Sequence, residues 1–143
     1  KSKAPYPANA LSNFAPHPFV FDGVQCNSME GFLQSLKFEK EHIQVEVCKL
    51  TGLAAKKRGA NKDWKKQQIL YWKGKSIDRH SDQYQDLLDC AYYALSHNKS
   101  FQKALVASGK SVLTHSIGKN NPKDTILTNS EFCSRLTKLR DTL

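Results

Sequence analysis

No run of apolar residues in this chain approaches the roughly 20 needed to span a bilayer, and its opening, KSKAPYPANA, has no apolar signal region. A cytoplasmic protein with no membrane partner is expected. Cysteine is sparse and scattered. Cys26, Cys48, Cys90 and Cys133 never form a CxxC pair, and neither His42 nor His80 stands at ligand spacing to any of them. That pattern argues against structural zinc and against a disulfide framework; free thiols in a reducing compartment are the simple reading. Phosphate-cradling glycine loops are missing as well. There is no GxGxxG, and ASGKS (107–111) lacks the first glycine and the preceding strand of a P-loop. Acids are the minority charge, 13 against 22 lysines and arginines, which leaves a net charge of +9 and a pI near 9.4.

The basic excess gathers in AAKKRGANKDWKK (54–66), YWKGK (71–75) and GKNNPK (118–123). A surface this cationic favours polyanions such as nucleic acids, dinucleotides and phosphates; plain solubilising charge is the alternative. With 143 residues and 10% aromatics the chain is long enough to bury a core without staples. Residues 1–143 therefore read as one domain.

The early segment, with Pro7, Pro16 and Pro18, reads as extended or looped. HPFVFDGVQCNS (17–28) reads as two short strands about an Asp22-Gly23 turn. Asn27 or Ser28 then caps a helix expected to run from about 28 to about 47. On it Met29, Phe32, Leu33 and Leu36 form an apolar stripe, while Glu30, Gln34 and Lys37 share a flank. A second helical piece follows Thr51 and ends near Gly59. Asp63 is a cap candidate, and a hairpin is expected around Lys73-Gly74. The strongest helical pattern covers 82–97, capped by Ser81, with Tyr84, Leu87, Leu88, Ala91, Tyr92 and Leu95 on one face. A short helix over 100–108 closes at Gly109, and SVLTH (111–115) reads as extended. Thr128 and Glu131 form a capping box opening a last helix with Phe132, Leu136 and Leu139 inward. The architecture expected is mainly α: a single compact helical domain with small β-hairpin elements.

Several residues have both a functional and a bland reading. With Asn27 as cap, Glu30 is the third residue of a capping box, and Gln34 and Lys37 are ordinary helix surface. Asn13, in LSNF (11–14), hydrogen-bonds a ligand or simply holds a turn. Trp64, among Lys62, Lys65 and Lys66, stacks on a base or enters the core. HSIGKNN (115–121) suits phosphate contact through His115, Gly118 and Lys119, but glycine- and asparagine-rich loops are usually turns.

Taken together, LSNFAPHPFVFDG (11–23), SMEGFLQSLKF (28–38) and LTHSIGKNNPKDTILTNSEFCSRLTKLR (113–140) resemble the NADAR family. The resemblance covers nearly the whole chain in order. Its pattern is an SNF segment, a PF–DG hairpin, an S-x-E-x-x-x-Q-x-x-K-F helix and a C-terminal helix ending in L-R. It implies a mainly helical fold and N-glycosidase chemistry on a ribose C1 bound to an exocyclic nitrogen. One branch of the family acts on early riboflavin-pathway intermediates. Another removes ADP-ribose from the amino group of guanine in DNA, in some cases as antitoxin to a DNA ADP-ribosyltransferase toxin. The resemblance makes Glu30 the acid–base group and Lys37 a nucleophile or phosphate anchor. It leaves Asn13, Phe14 and Gln34 to bind substrate; Trp64, His115, Gly118 and Lys119, read from the basic stretch and the loop, are the further candidates for binding it, and no metal or cofactor is required. An aromatic-Gly-Asp-Gly loop that some members carry near the C-terminus is absent from GKNNPKDTILT (118–128), where Asp124 is the nearest acid.

The basic surface favours ADP-ribosylated guanine, in DNA or as the nucleoside, as the expected substrate. Riboflavin-pathway intermediates, or a non-catalytic role in binding ADP-ribose or nucleic acid, are the alternatives.

Overall fold

In the computed structural model, residues 4–109 and 119–143 are described. Their order is α1 (Ala8–Leu11), β1 (Phe19–Phe21), β2 (Val24–Cys26), α2 (Met29–Ser35), α3 (Glu41–Cys48), α4 (Gly52–Ala60), β3 (Ile69–Trp72), β4 (Lys75–Asp78), α5 (Asp82–Leu95), α6 (Lys99–Ala107) and α7 (Asn129–Asp141). The expectation of a mainly α fold is corrected. About 49% of the described residues are helical and 11% are strand, a compact mixed α/β arrangement of seven helices and two small antiparallel sheets. The strands are short, yet they wall the core. Phe19, Cys26, Leu70, Trp72 and Ile77 are buried in the same apolar cluster as the stripes of α2 and α5.

Both hairpins turn as their sequences dictate. Asp22-Gly23 and Lys73-Gly74 each place two successive residues at positive φ, the geometry that makes a two-residue turn follow the strand twist. The registers are Phe19 to Cys26 and Ile69 to Asp78. The two turns are tied together: the Trp72 indole Nε1 donates to Asp22 Oδ2 at 2.9 Å. Phe21, Phe32 and Trp72 close a three-ring cluster with centroids 5.2–5.4 Å apart.

The long helix expected over 28–47 is broken into α2 and α3. Leu36, Lys37 and Phe38 close tight turns onto Leu33, Gln34 and Ser35. The carbonyls at the break find partners outside α2. Tyr71 N donates to Leu36 O at 2.8 Å, and the buried Gln44 amide donates to Ser35 O and Tyr71 O. Buried main-chain groups need such partners; β3 supplies the one for Leu36 O and α3 a second one for Ser35 O. Gly31 lets α2 approach the end of α3 closely, since a Cβ there would lie 2.5 Å from Leu50 O.

Ser81 caps α5 as expected. Asn98 caps α6, and Gly109 follows its end at φ +58°. Thr128 and Glu131 form the reciprocal capping box of α7. Asp63 caps nothing, because residues 61–68 hold no helix. The stretch SVLTH lies outside the described residues.

Glu131 has a second partner. The Arg79 guanidinium, 1% exposed, is bidentate to its carboxylate at 2.8 and 3.0 Å, donates to Thr125 O, and lies over the Tyr84 ring. This buried knot pins residues 125–131 to α5. Among the described residues no helix is long and apolar enough to cross a membrane.

Candidate active site

The bland reading of Glu30 fails on the cap. The N-cap of α2 is Ser28, whose Oγ accepts from Gly31 N at 3.0 Å and donates to Leu50 O at 2.9 Å. Glu30 is therefore the second helical residue, not the third of a capping box. Its side chain turns along the helix to Gln34, whose Nε2 donates to Glu30 Oε2 at 2.8 Å. Its own N–H donates to the Asn13 carbonyl at 2.9 Å. The LSNF segment thus satisfies one of the open donors of the first turn, and the same bond brings Asn13 beside Glu30.

Asn13 is fixed at its other end by Tyr92 of α5, whose hydroxyl donates to Asn13 Oδ1 at 2.8 Å. A buried tyrosine needs a partner for its hydroxyl, and here the partner is in the site. Burial, reinforced by the Glu30 charge, holds the Tyr92 phenol far above its ordinary range, so it stays a donor. Phe14, half-buried, faces Gly52 at the start of α4.

Lys37 lies in the turn after α2, where its Nζ donates weakly to Gly59 O at 3.4 Å. Glu30 and Lys37 are pushed toward neutrality from opposite sides. Burial raises the Glu30 carboxyl, and Gln34, Lys37 and Lys56 only partly restore its charge. Burial likewise lowers the Lys37 ammonium; Glu30 opposes this, while Lys65 and Lys56 add to it. Pairs displaced toward each other in this way are the arrangement acid–base chemistry uses.

Gly59 of α4 closes the floor. A Cβ there would stand 1.9 Å from Gln34 Oε1, so only glycine admits the Gln34 side chain at this depth. Gln34 is 6% exposed, and its Oε1 has no hydrogen-bond donor. Around the site α4 and the segment after it expose Lys56, Lys57, Arg58, Lys62, Lys65 and Lys66. Arg58 and Lys62 lie over the buried Phe38 ring, at 4.7 and 5.4 Å.

The structure thus brings Asn13, Glu30, Gln34 and Lys37 together, with Phe14 alongside. Trp64 does not join them as a stacking face: it is 6% exposed and packed into the hydrophobic core. Lys119 is exposed, and its carbonyl accepts from Asn129 N at the start of α7. His115 and Gly118 lie outside the described residues. Tyr92, Lys56 and Gly59 were not singled out from the sequence. Tyr92 carried a signal, a hydroxyl on an otherwise apolar stripe. Gly59 carried one only in being a glycine inside a helix.

Among the described residues no group of three or more His, Cys, Asp or Glu is placed to hold a metal ion. An open groove of about 460 Å³, lined by Pro18, Phe19, Val20, Tyr93, Ala94, His97 and Asn98, shares no residue with the site and has no carboxylate in its walls.

Comparison with known proteins places the chain in a family. The pattern of the family described as bacteriophage protein GP30.3 matches residues 5–141, and the chain belongs to that family. It is 42% identical, over 146 residues, to an uncharacterized 17.1 kDa protein of the Gp30-rIII intergenic region of Enterobacteria phage T4; the match covers 100% of this chain and 96% of the phage protein. Its fold is similar to that of the E. coli protein YbiA, solved by NMR, with a TM-score of 0.58 over 92% of this chain and 76% of YbiA, at 19% sequence identity.

Proposed function

We propose that the protein is an N-glycosidase of the NADAR type, cleaving the bond between a ribose C1 and an exocyclic nitrogen. The observation that carries this reading is the pair Glu30 and Lys37: one carboxyl and one amine, both partly desolvated, each within reach of the other's charge. The YbiA-like fold, that of a NADAR-family member, supports it. N-glycoside cleavage passes through an oxocarbenium-like state, with positive charge at C1 and electrons collecting on the leaving nitrogen. A carboxyl whose proton burial holds more tightly can supply the proton that nitrogen needs. A lysine whose ammonium burial disfavours can, once deprotonated, add to C1 of the ring-opened imine; the exocyclic amine leaves with its electron pair and a proton, and the resulting Schiff base on Lys37 is hydrolysed by water to free the sugar. Asn13, its Oδ1 held by Tyr92, presents its NH₂ group to sugar oxygens, and Phe14 offers an aromatic surface to the base.

The preferred substrate is guanine bearing ADP-ribose on its amino group, in DNA. Lys56 and Lys65 lie close enough to act on the Glu30–Lys37 pair, further exposed cations continue along α4 and the segment after it, and each phosphate such cations neutralise adds a salt-sensitive increment of affinity. A small riboflavin-pathway intermediate does not call for so extended a cationic border. The reading is tested by measuring turnover of an ADP-ribosylated oligonucleotide, the corresponding nucleoside and early riboflavin intermediates across a salt series. Turnover of the oligonucleotide with a steep salt slope, and of the nucleoside with a shallow one, is expected. Equal slopes would remove the case for DNA. Turnover of the riboflavin intermediates alone would replace it with the metabolite reading.

A further inference from the structure

Gln34 is poorly placed for a sugar hydroxyl. It is 6% exposed, and its Oε1 abuts Gly59 so closely that a single added methyl carbon there would overlap it. Yet that Oε1 has no donor, and a buried polar atom left unpaired in a folded protein demands an explanation. The one hydrogen bond its side chain makes is to Glu30.

We infer that Gln34 is a positioning residue for Glu30 in both protonation states: its Nε2–H donates to the carboxylate, and after a half-turn of the amide its Oε1 accepts from the carboxylic acid. Oxygen and NH₂ are nearly the same size, so contact with Gly59 does not decide the orientation, and the unpaired end is what permits the turn. The inference rests on the N-glycosidase reading for its purpose. In that reaction the C1–N bond breaks with its electron pair going to nitrogen, which takes the Glu30 proton. Water then adds to C1, releasing the sugar from the Lys37 Schiff base, and returns a proton to Glu30. A partner locked as donor would favour the carboxylate and penalise the acid needed first. Among the described residues the other groups facing Glu30 are Lys37 from the turn after α2, Lys56 from α4 and Tyr92 from α5. The lysines favour the carboxylate and burial favours the acid, so the pocket holds groups that act on each protonation state.

The test uses isotope-labelled full chain without substrate. The Glu30 carboxyl carbon is titrated by NMR while Overhauser contacts are followed from the Gln34 NH₂ protons to the Gly59 α-protons. These contacts are expected below the Glu30 midpoint and absent above it, with the same midpoint, and in Glu30→Gln their pH dependence should vanish. Contacts that do not change through the Glu30 titration overturn the inference. A kinetic measurement separates it further. In Gln34→Met, which keeps length and loses both bonds, the rate should fall at every pH while the acid–base midpoint barely moves. A midpoint that climbs would show that Gln34 serves the carboxylate alone. Because the NMR measurement needs no turnover, it can fail while the glycosidase reading stands, and the reverse.

Discussion

Replacing Glu30 with Gln removes one proton-transfer group and almost nothing else. The main-chain bond to Asn13 O is untouched, and an amide of the same length can still bond to Gln34. Loss of general acid–base catalysis is worth about 10²–10⁴ in rate, or about 3–5 kcal/mol of barrier. Single-turnover rates at saturating enzyme should therefore fall by that factor with little change in substrate affinity. Stability should move the other way. Burial raises the Glu30 carboxyl above its ordinary value of 4.5, so the folded state holds this proton more tightly than the unfolded chain. The stability this contributes is complete below about 4.5 and is lost as pH rises through the folded value. Gln does not titrate, so the variant should melt higher than the parent at neutral pH, with the gap closing toward pH 4. Such a trade of stability for function is a common mark of active sites. A variant with the parent's rate would refute the catalytic role, and one that melts lower at neutral pH would refute the burial argument.

Borohydride added during turnover should fix the sugar to the peptide carrying Lys37, read as a mass increase. If nothing is trapped and Lys37→Arg keeps part of the activity, the lysine is an anchor rather than a nucleophile. Gly59→Ala should cost about 1–3 kcal/mol by overpacking against Gln34, measured by denaturant unfolding, and should lower activity more than a surface alanine on the same helix. Arg79→Met should cost about 3–5 kcal/mol, because it leaves the Glu131 carboxylate in a largely buried place without its guanidinium. Burial alone would raise Glu131, but Arg79, Gln85 and the Thr128 N–H together hold it below its ordinary value. The stability from this knot is thus present above about 4.5 and lost as pH falls through the folded value. Glu131→Gln should flatten that acid limb of the melting curve.

What could be read from the sequence was mostly local. Asp22-Gly23 and Lys73-Gly74 announced both hairpins. The stripe from Tyr84 to Leu95 announced α5, and Thr128 with Glu131 announced the start of α7. Local reasoning failed where a distant segment supplied the deciding bond. The helix over 28–47 breaks because Tyr71 and Gln44 satisfy its carbonyls. Trp64 looked equally suited to a surface and was taken by the core. Arg79 drew no notice because a buried arginine is rare until its carboxylate is found 52 residues away. The strands counted for more than their length because both hairpins face inward. At the site, the flank of Glu30, Gln34 and Lys37 was visible as a spacing. Its walls, Tyr92 and Gly59, became visible only when α5 and α4 were folded against it.

The central claim is cleavage at C1–N, and the mass of the nucleic acid after reaction tests it most directly. An oligonucleotide carrying one ADP-ribosylated guanine is incubated with the protein and weighed by mass spectrometry. Return to the mass of the unmodified oligonucleotide, with free ADP-ribose released and no return in Glu30→Gln, is the predicted result. An oligonucleotide that keeps its full modification, or retains a ribose-phosphate remnant on guanine, would contradict the account.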